Sequence, residues 1–423
     1  MTTYNVLVFP AGEVNSVELH DALAMCVNVK VFGASSVERH GKYVFENYIP
    51  GLPRINEPGF IEAFNKVLAD NQINVIFPTH DTVVRFFAEH AKEIAAKVVG
   101  ADKGTAEICR DKVKTYEALK GHAFIPKTYS EGPYPFPVFV KPREGQGGVG
   151  ARIVRREEDL PEDLENWVVC EYLPGEEYTV DCFTGCHGEV KVVSPRSRTR
   201  TLAGISVAGS AESLTPEIGK IAEAINSRLS FLGLWYFQIK RDAEGRWKLL
   251  EVSARCAGAM CLTRARGLNL PLMSVYAAMG IDVVPMPNEC PVSMDRTLIA
   301  RYSLGYDYDT VYFDFDDTLI VRGKVNLKAI WFLYQCRNNG KKVVLLTKHA
   351  REIYESMKRF AIAESLFSEI IHIGPDDRKS CHVNPERAIF IDNAYWERKD
   401  VHDVHGIPVF DVDAIEVLMD WRI

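Results

Sequence analysis

At 423 residues the chain is too long for one ordinary hydrophobic core, so two or three domains are expected. Its 47% hydrophobic and 25% charged content is that of a soluble globular protein, and a net charge of -7 gives no electrostatic case for nucleic acid as a main partner. No apolar run reaches the roughly 18 residues needed to cross a bilayer, and the N-terminus lacks a basic segment leading into a secretory apolar stretch. A cytoplasmic location without a membrane partner is the expectation.

In chain order, Val6–Pro10 and Val27–Phe32 read as strands, with the helical stretch Ser16–Met25 between them. Phe60–Asn71 reads as a helix, Val75–Pro78 as a buried strand and Thr82–Ile94 as a second helix. Strands alternating with helices at this spacing predict a parallel, doubly wound sheet, whose ligands sit beyond the carboxyl ends of the strands. Pro10-Ala-Gly12 and Pro78-Thr-His-Asp81 both follow strands, so they are candidate rim residues for a small substrate, Asp81 among them. Ordinary turns between strand and helix explain them equally.

After Asp102 the pattern changes. Asp111-Lys112 opens a helix through Leu119, and Pro126–Pro137 is a proline-rich connector. The strands Val138–Lys141, Trp167–Tyr172 and Tyr178–Phe183 follow, the last paired with Glu189–Ser194 across Gly185–Gly188. Thr215–Leu229 reads as a helix, and Trp235–Arg241 with Trp247–Ser253 as a hairpin through Asp242-Ala-Glu-Gly245. Residues Pro285–Ser293, with three prolines, read as a link, and the strand Thr310–Phe315 opens a further unit. The ten cysteines are scattered without a zinc spacing and read as free, mostly buried thiols.

Two stretches carry phosphate chemistry. Phe139-Val-Lys-Pro-Arg-Glu-Gly-Gln-Gly-Gly-Val-Gly150 puts Lys141 at the end of an apolar strand, before glycines whose amides can approach phosphate oxygens. Its spacing fits neither a P-loop nor a dinucleotide-binding fingerprint. Downstream stand Val168-Val-Cys-Glu-Tyr-Leu-Pro-Gly-Glu-Glu-Tyr-Thr-Val-Asp181, Phe237-Gln-Ile-Lys240 and Leu250-Glu-Val-Ser-Ala-Arg255. Together these resemble the ATP-grasp superfamily, and within it the half-domains of carbamoyl-phosphate synthetase and related ligases, over roughly residues 1–300.

That resemblance implies ATP and Mg²⁺ as cofactors. Lys112 and Lys141 would bind the α- and β-phosphates, and the loop with Gly145, Gly147 and Gly148 would close over the triphosphate. Glu171, Tyr172 and Leu173 would line the adenine, and Glu177 would hold the ribose hydroxyls. Gln238 and Glu251 would bridge magnesium, with Arg255 against the γ-phosphate. Hard oxygen donors on neighbouring hairpin strands suit that ion. Ser253 stands where the family usually has Asn, which weakens the second metal position. Arg198 and Arg200 lie where a basic residue often meets the acyl phosphate; a solvated edge is their other reading.

Phe313-Asp-Phe-Asp-Asp-Thr-Leu319 places two carboxylates two residues apart after another apolar strand. Val343-Val-Leu-Leu-Thr347, Lys379 and Ala388-Ile-Phe-Ile-Asp-Asn393, read as the last strand, follow in order. Residues 308–423 resemble the haloacid-dehalogenase (HAD) superfamily. By that resemblance Asp314 is the nucleophile, Asp316 the proton donor and acceptor, and Thr347 a phosphoryl-binding hydroxyl. Lys379, preferred to Lys358, is the cationic group, and Asp314, Asp316 and Asp392 hold the metal. Between Thr318 and Thr347 only one helix, Leu327–Asn338, is read, which leaves no room for a cap domain.

The fold class expected is α/β and α+β multidomain. It comprises a Rossmann-like pre-ATP-grasp domain at 1–105, an ATP-grasp body at 106–300 and a C-terminal HAD-like Rossmannoid domain at 308–423. The function implied is an ATP-dependent carboxylate–amine ligase acting through an acyl phosphate, fused to a Mg-dependent phosphatase. Its partners would be a small-molecule carboxylate, an amine and a phosphate ester; oligomeric state stays open, with dimers common among relatives. Two other readings remain: a phosphohydrolase with a nucleotide-gated ATP-grasp body, and a slow nucleotide-binding regulatory protein.

Overall fold

Val6, Leu7 and Val8 are fully buried, as expected of a strand covered on both faces. In the computed structural model, which describes residues 2–145, 147–202 and 204–422, this strand (Tyr4–Phe9) is the centre of a five-stranded parallel sheet. Val29–Ala34 and then Asn47–Ile49 lie on one side of it, Val75–Pro78 and Lys97–Val98 on the other. The chain therefore reverses its direction of travel at Tyr4–Phe9, and the crevice of such a sheet opens past Phe9 and Pro78. Phe9, Phe60, Phe64 and Phe87 pack behind it, all nearly inaccessible to solvent.

Two expected boundaries shift here. The first helix is Val14–Leu23 and the next strand starts at Val29, two residues later than read. The helix expected to reach Ile94 ends at Glu89. Asn65 captures the chain beyond it, donating to the Glu93 carbonyl and accepting from the Ala95 amide.

The next body is an antiparallel sheet ordered Val190–Ser197, Glu177–Thr184, Phe231–Arg241, Trp247–Ser253. Gly100–Ala101 adds to the start of Phe231–Arg241. Helix Pro216–Arg228 presents Ile218, Ile221, Ala222 and Ile225 to this sheet's core, and Thr215 caps it by accepting from the Ile218 amide. A three-stranded sheet sets Val138–Pro142 between Arg152–Val154 and Trp167–Glu171.

The proline segment 285–293 is not the link it was read as. Ser293–Asp295 pairs antiparallel with Ile205–Ser210, and the Ala211 amide donates to the Val292 carbonyl. Prolines withhold amide donors but leave their neighbours free to pair at an edge, so the first compact unit continues to residue 298.

The second compact unit, 299–422, holds another five-stranded parallel sheet. Its order is Glu369–His372, Lys342–Thr347, Thr310–Phe313, Ala388–Ile391, Val409–Phe410. Ala388–Ile391 is thus not the last strand; the final one has two residues, too short to show a periodic pattern. A small hairpin, Ile320–Val321 with Lys324–Val325, precedes the helix Leu327–Asn338, turning through Arg322 and Gly323, both at positive φ.

All ten cysteines are free, but only four are buried, and Cys290 and Cys381 are exposed, so the expectation of mostly buried thiols is corrected. Among the described residues no helix is long and apolar enough to cross a membrane.

Candidate functional sites

Pairing of the two hairpin strands sets Gln238 directly opposite Glu251. Both line a cavity of about 730 Å³ in the first unit. Its far wall is the crevice of the parallel sheet, through Pro10, Gly12, Thr79 and His80; Arg198 and Arg255 face the same space. Gly147 of the glycine loop and Gly204 also border it. Gln146 and Ala203, their neighbours, lie outside the described residues.

Lys141 is 5% exposed, and its ammonium donates to the Tyr116 hydroxyl at 2.7 Å and the Leu250 carbonyl at 2.9 Å. Burial pushes its pKa down, and does the same to Lys112, which donates to the Arg143 carbonyl at 3.4 Å. Asp111 caps the helix Lys112–Ala118 through the Val113 and Lys114 amides and holds Arg143 at 2.6 Å. The Gly145 carbonyl accepts from Arg110, while Gly147 and Gly148 take the positive φ that favours glycine.

Several expected ligand contacts are already engaged within the protein. Glu177 pairs with Arg198 at 2.7 Å and Lys240 at 3.3 Å. Glu171 accepts from the Lys127 amide, and Tyr172 and Leu173 follow directly after its strand. Ser253 donates its hydroxyl to Asp81 at 2.6 Å, and Arg255 donates to the other Asp81 oxygen at 2.9 Å. Burial alone would lower the Arg255 pKa, but the Asp81 carboxylate raises it. Asp81 thus serves as a clamp on the hairpin end. Arg200 pairs with exposed Asp295.

Of the residues expected to hold magnesium, Glu251 brings a carboxylate and Gln238 an amide oxygen to the cavity. Mg²⁺ is commonly held by one or two such groups together with nucleotide phosphates, so these residues fit one ion of that kind. Sequence reasoning missed Tyr116 and the buried Arg196–Asp181 pair (2.9 Å), to which Thr263 also donates. Tyr116 had no local signal; Asp181 stood inside a motif already singled out.

In the second unit, Phe313 and Ile391 are partners on adjacent parallel strands, so Asp314 and Asp392 emerge side by side. Lys379 reaches between them, donating to both at 2.6 Å. All three side chains are nearly inaccessible. Burial and then the neighbouring Asp392 charge push the Asp314 carboxyl up to about 6, against the pull of Lys379. Thr318 donates to Asp314 at 3.2 Å and accepts from the Asn393 amide at 3.0 Å. Lys358 is exposed on the helix Ile353–Arg359.

Thr347 is fully buried at the end of its strand, and its hydroxyl accepts from the His349 amide. The Asp316 carboxylate binds the His349 ring rather than standing with the other two acids. Among the described residues no group of three or more His, Cys, Asp or Glu side chains is spaced to hold a metal. Two carboxylates that would share an ion with a phosphate still suit Mg²⁺ at Asp314 and Asp392. His349 was not singled out from the sequence, and Thr318 stood inside the quoted motif without a role of its own.

Residues 163–297 match the family model described as ATP-grasp in the biosynthetic pathway with Ter operon. The first unit contains an ATP-grasp domain. A 100-residue stretch is 32% identical to D-alanine–D-alanine ligase of Thermotoga maritima, covering 21% of this chain and 33% of that protein, so the match spans about a third of that relative's length. Among solved structures, the ATP-grasp fold here is similar to the biotin carboxylase domain of Hydrogenobacter thermophilus 2-oxoglutarate carboxylase, solved with MgADP and bicarbonate. That likeness has a TM-score of 0.56 and 19% identity, over 68% of this chain and 72% of that one. L-amino acid ligase from Bacillus licheniformis aligns with a TM-score of 0.52 and 17% identity, over 66% and 75%. Within the first unit, hairpin, glycine loop and sheet crevice thus border one cavity.

Proposed function

We propose that the first unit is an ATP-dependent carboxylate–amine ligase working through an acyl phosphate, with residues 1–105 as its pre-ATP-grasp domain and 106–300 as its ATP-grasp body. The observation that carries this reading is the single cavity shared by Gln238, Glu251, Arg255, the glycine loop and the crevice turns. It offers the triphosphate end of a nucleotide and a small acid a common space. Mg²⁺ would supply charge neutralisation of the transferred phosphoryl group, held by Gln238 and Glu251. Lys141 and Lys112 would bind phosphate oxygens, and Arg255, kept in place by Asp81, would face the group in transfer. The amine would then displace phosphate, with no covalent enzyme nucleophile. The D-alanine–D-alanine ligase match supports an amino-acid-type acid and amine.

The second unit, by the same reasoning, is a capless HAD-type phosphatase at 308–423, with Asp314 as nucleophile. The Asp314–Lys379–Asp392 cluster carries that reading. Mg²⁺ would offset the repulsion between Asp314 and the phosphate.

Purified full-length protein with ATP and magnesium should release ADP when a matching acid and amine are supplied together. A broad panel without any ADP release would remove the ligase. Lys141→Ala should abolish that release and spare phosphate-ester hydrolysis, while Asp314→Asn should do the reverse. The hold of Asp81 on Ser253 favours one other outcome, a nucleotide-binding protein that turns over slowly. Tight ATP binding with no ADP formed under any pairing would select it.

A further inference from the structure

His349 stands two residues after Thr347 and is fixed on every side. Its amide donates to the Thr347 hydroxyl at 3.2 Å, and its carbonyl contacts His372 Nε2 at 2.6 Å. The ring meets the edge of Phe315, with centroids 5.1 Å apart, and Nε2 lies 2.7 Å from the Ser356 hydroxyl. The remaining ring nitrogen, Nδ1, sits 2.8 Å and 2.9 Å from the two Asp316 oxygens. Ionised, the Asp316 carboxylate only accepts, so Nδ1 carries the proton of this bond; protonated on one oxygen, the carboxyl still accepts it on the other. Ser356 can serve Nε2 as donor or acceptor and sets the ring's orientation either way.

Asp316 has little else to hold it. Its side chain is 53% exposed, on a turn that continues into Asp317 at positive φ. Left alone, such a carboxylate would spread over its staggered rotamers. Asp314 needs no comparable support, being buried and gripped by Lys379 and Thr318.

We propose that His349 is a positioning residue that holds the Asp316 carboxyl in line with the leaving oxygen of the phosphate ester. This rests on the phosphatase reading of the second unit. In the first half-reaction the Asp314 oxygen forms a bond to phosphorus, the ester P–O bond breaks, and the Asp316 proton passes to the departing oxygen. In the second, water attacks phosphorus, the Asp314–phosphorus bond breaks, and the water's proton returns to Asp316. Ester and water give alcohol and inorganic phosphate. Ser356, at 9% exposure, is too enclosed to be a nucleophile itself. Its part is to brace the ring.

The test compares two substrates on the full-length chain: p-nitrophenyl phosphate, whose leaving oxygen departs without a proton, and an alkyl phosphate, whose leaving oxygen needs one. General acid catalysis is typically worth about 10²–10⁴-fold, so losing the aim of the acid should cost the alkyl substrate roughly tenfold or more in kcat/KM, which reports the half-reaction in which the alcohol departs. His349→Ala should show that loss of kcat/KM on the alkyl ester and about twofold or less on the aryl ester, while kcat on either ester also carries the slower attack of water. His349→Asn, whose amide can reach the place of Nδ1, should restore the alkyl rate, and His349→Gln, which reaches instead toward Nε2, should not. An equal loss of kcat/KM on both esters, or rescue by Gln as good as by Asn, overturns the positioning role. If His349→Ala fails to fold, the Asn and Gln pair still decides the matter. A wild type inactive on both esters, or an Asp314→Asn variant as active as wild type, overturns the phosphatase reading instead.

Discussion

Arg255 donates to Asp81 at 2.9 Å, tying the end of the hairpin to the start of the helix Asp81–Glu89 across 174 positions of sequence. Burial by itself would raise the Asp81 carboxyl, but Arg255's charge and the bonds from Arg255 and Ser253 hold it below the usual carboxylate range.

Asp81→Ala would leave a largely buried guanidinium without its counter-charge, a loss of about 3 kcal/mol or more near neutral pH. A carboxyl depressed in the folded state contributes stability that is present above its unfolded value, about 4, and is lost as pH falls through the folded value. The stability gap between wild type and variant should therefore narrow below about pH 4. Urea unfolding followed across pH measures it.

Lys141→Met keeps the bulk of the stem and removes the charge. Hydrogen bonds to charged groups are worth about 1.5–3 kcal/mol, so ATP affinity by calorimetry should fall roughly 10- to 100-fold. Because burial lowers the Lys141 pKa, wild-type affinity should decline with rising pH earlier than an exposed lysine would require.

Gly204 sits at positive φ, and a Cβ there would come 2.1 Å from the Gly147 carbonyl oxygen. Its own carbonyl is held by Arg198 at 3.1 Å. Gly204→Ala should push the glycine loop aside and weaken nucleotide binding by about tenfold, a strain of the order of 1–2 kcal/mol. Phosphate-ester hydrolysis should be unchanged, and the two assays run in parallel decide it.

Asp314→Asn should abolish phosphatase turnover yet stabilise the metal-free second unit. Two buried carboxylates share one lysine; after the change Lys379 keeps Asp392 as its partner. A carboxyl raised to about 6 on folding loses stability as pH climbs from about 4 to that value. The variant's melting-temperature advantage in a chelator should be full near neutral pH and shrink toward about pH 4.

Much of the scaffold was legible because its signals are local. The helix Leu327–Asn338 fell where its pattern placed it, with Asn326 capping the Ala329 amide, and the hairpin through Asp242–Gly245 formed as its turn chemistry dictated. Asp314 and Asp392 could be singled out by residue type and strand end. Pairings across the fold could not: Tyr116 on Lys141, Asp81 on Arg255 and His349 on Asp316 meet only after long loops of chain are folded back. Very short strands such as Val409–Phe410 owe their existence to a neighbour's open edge, and no periodicity announces them.

The register of Thr310–Phe313 with Ala388–Ile391 has a consequence for how this site can vary. Two acids that leave adjacent parallel strands at matched positions are aligned by main-chain ladder bonds, independent of the turns that follow. Those turns can then lengthen, shorten or change residues while the paired acids stay where the backbone puts them. A one-residue slip of either strand would instead send one acid to the opposite face, so the sheet itself guards the pairing of the two acids against drift.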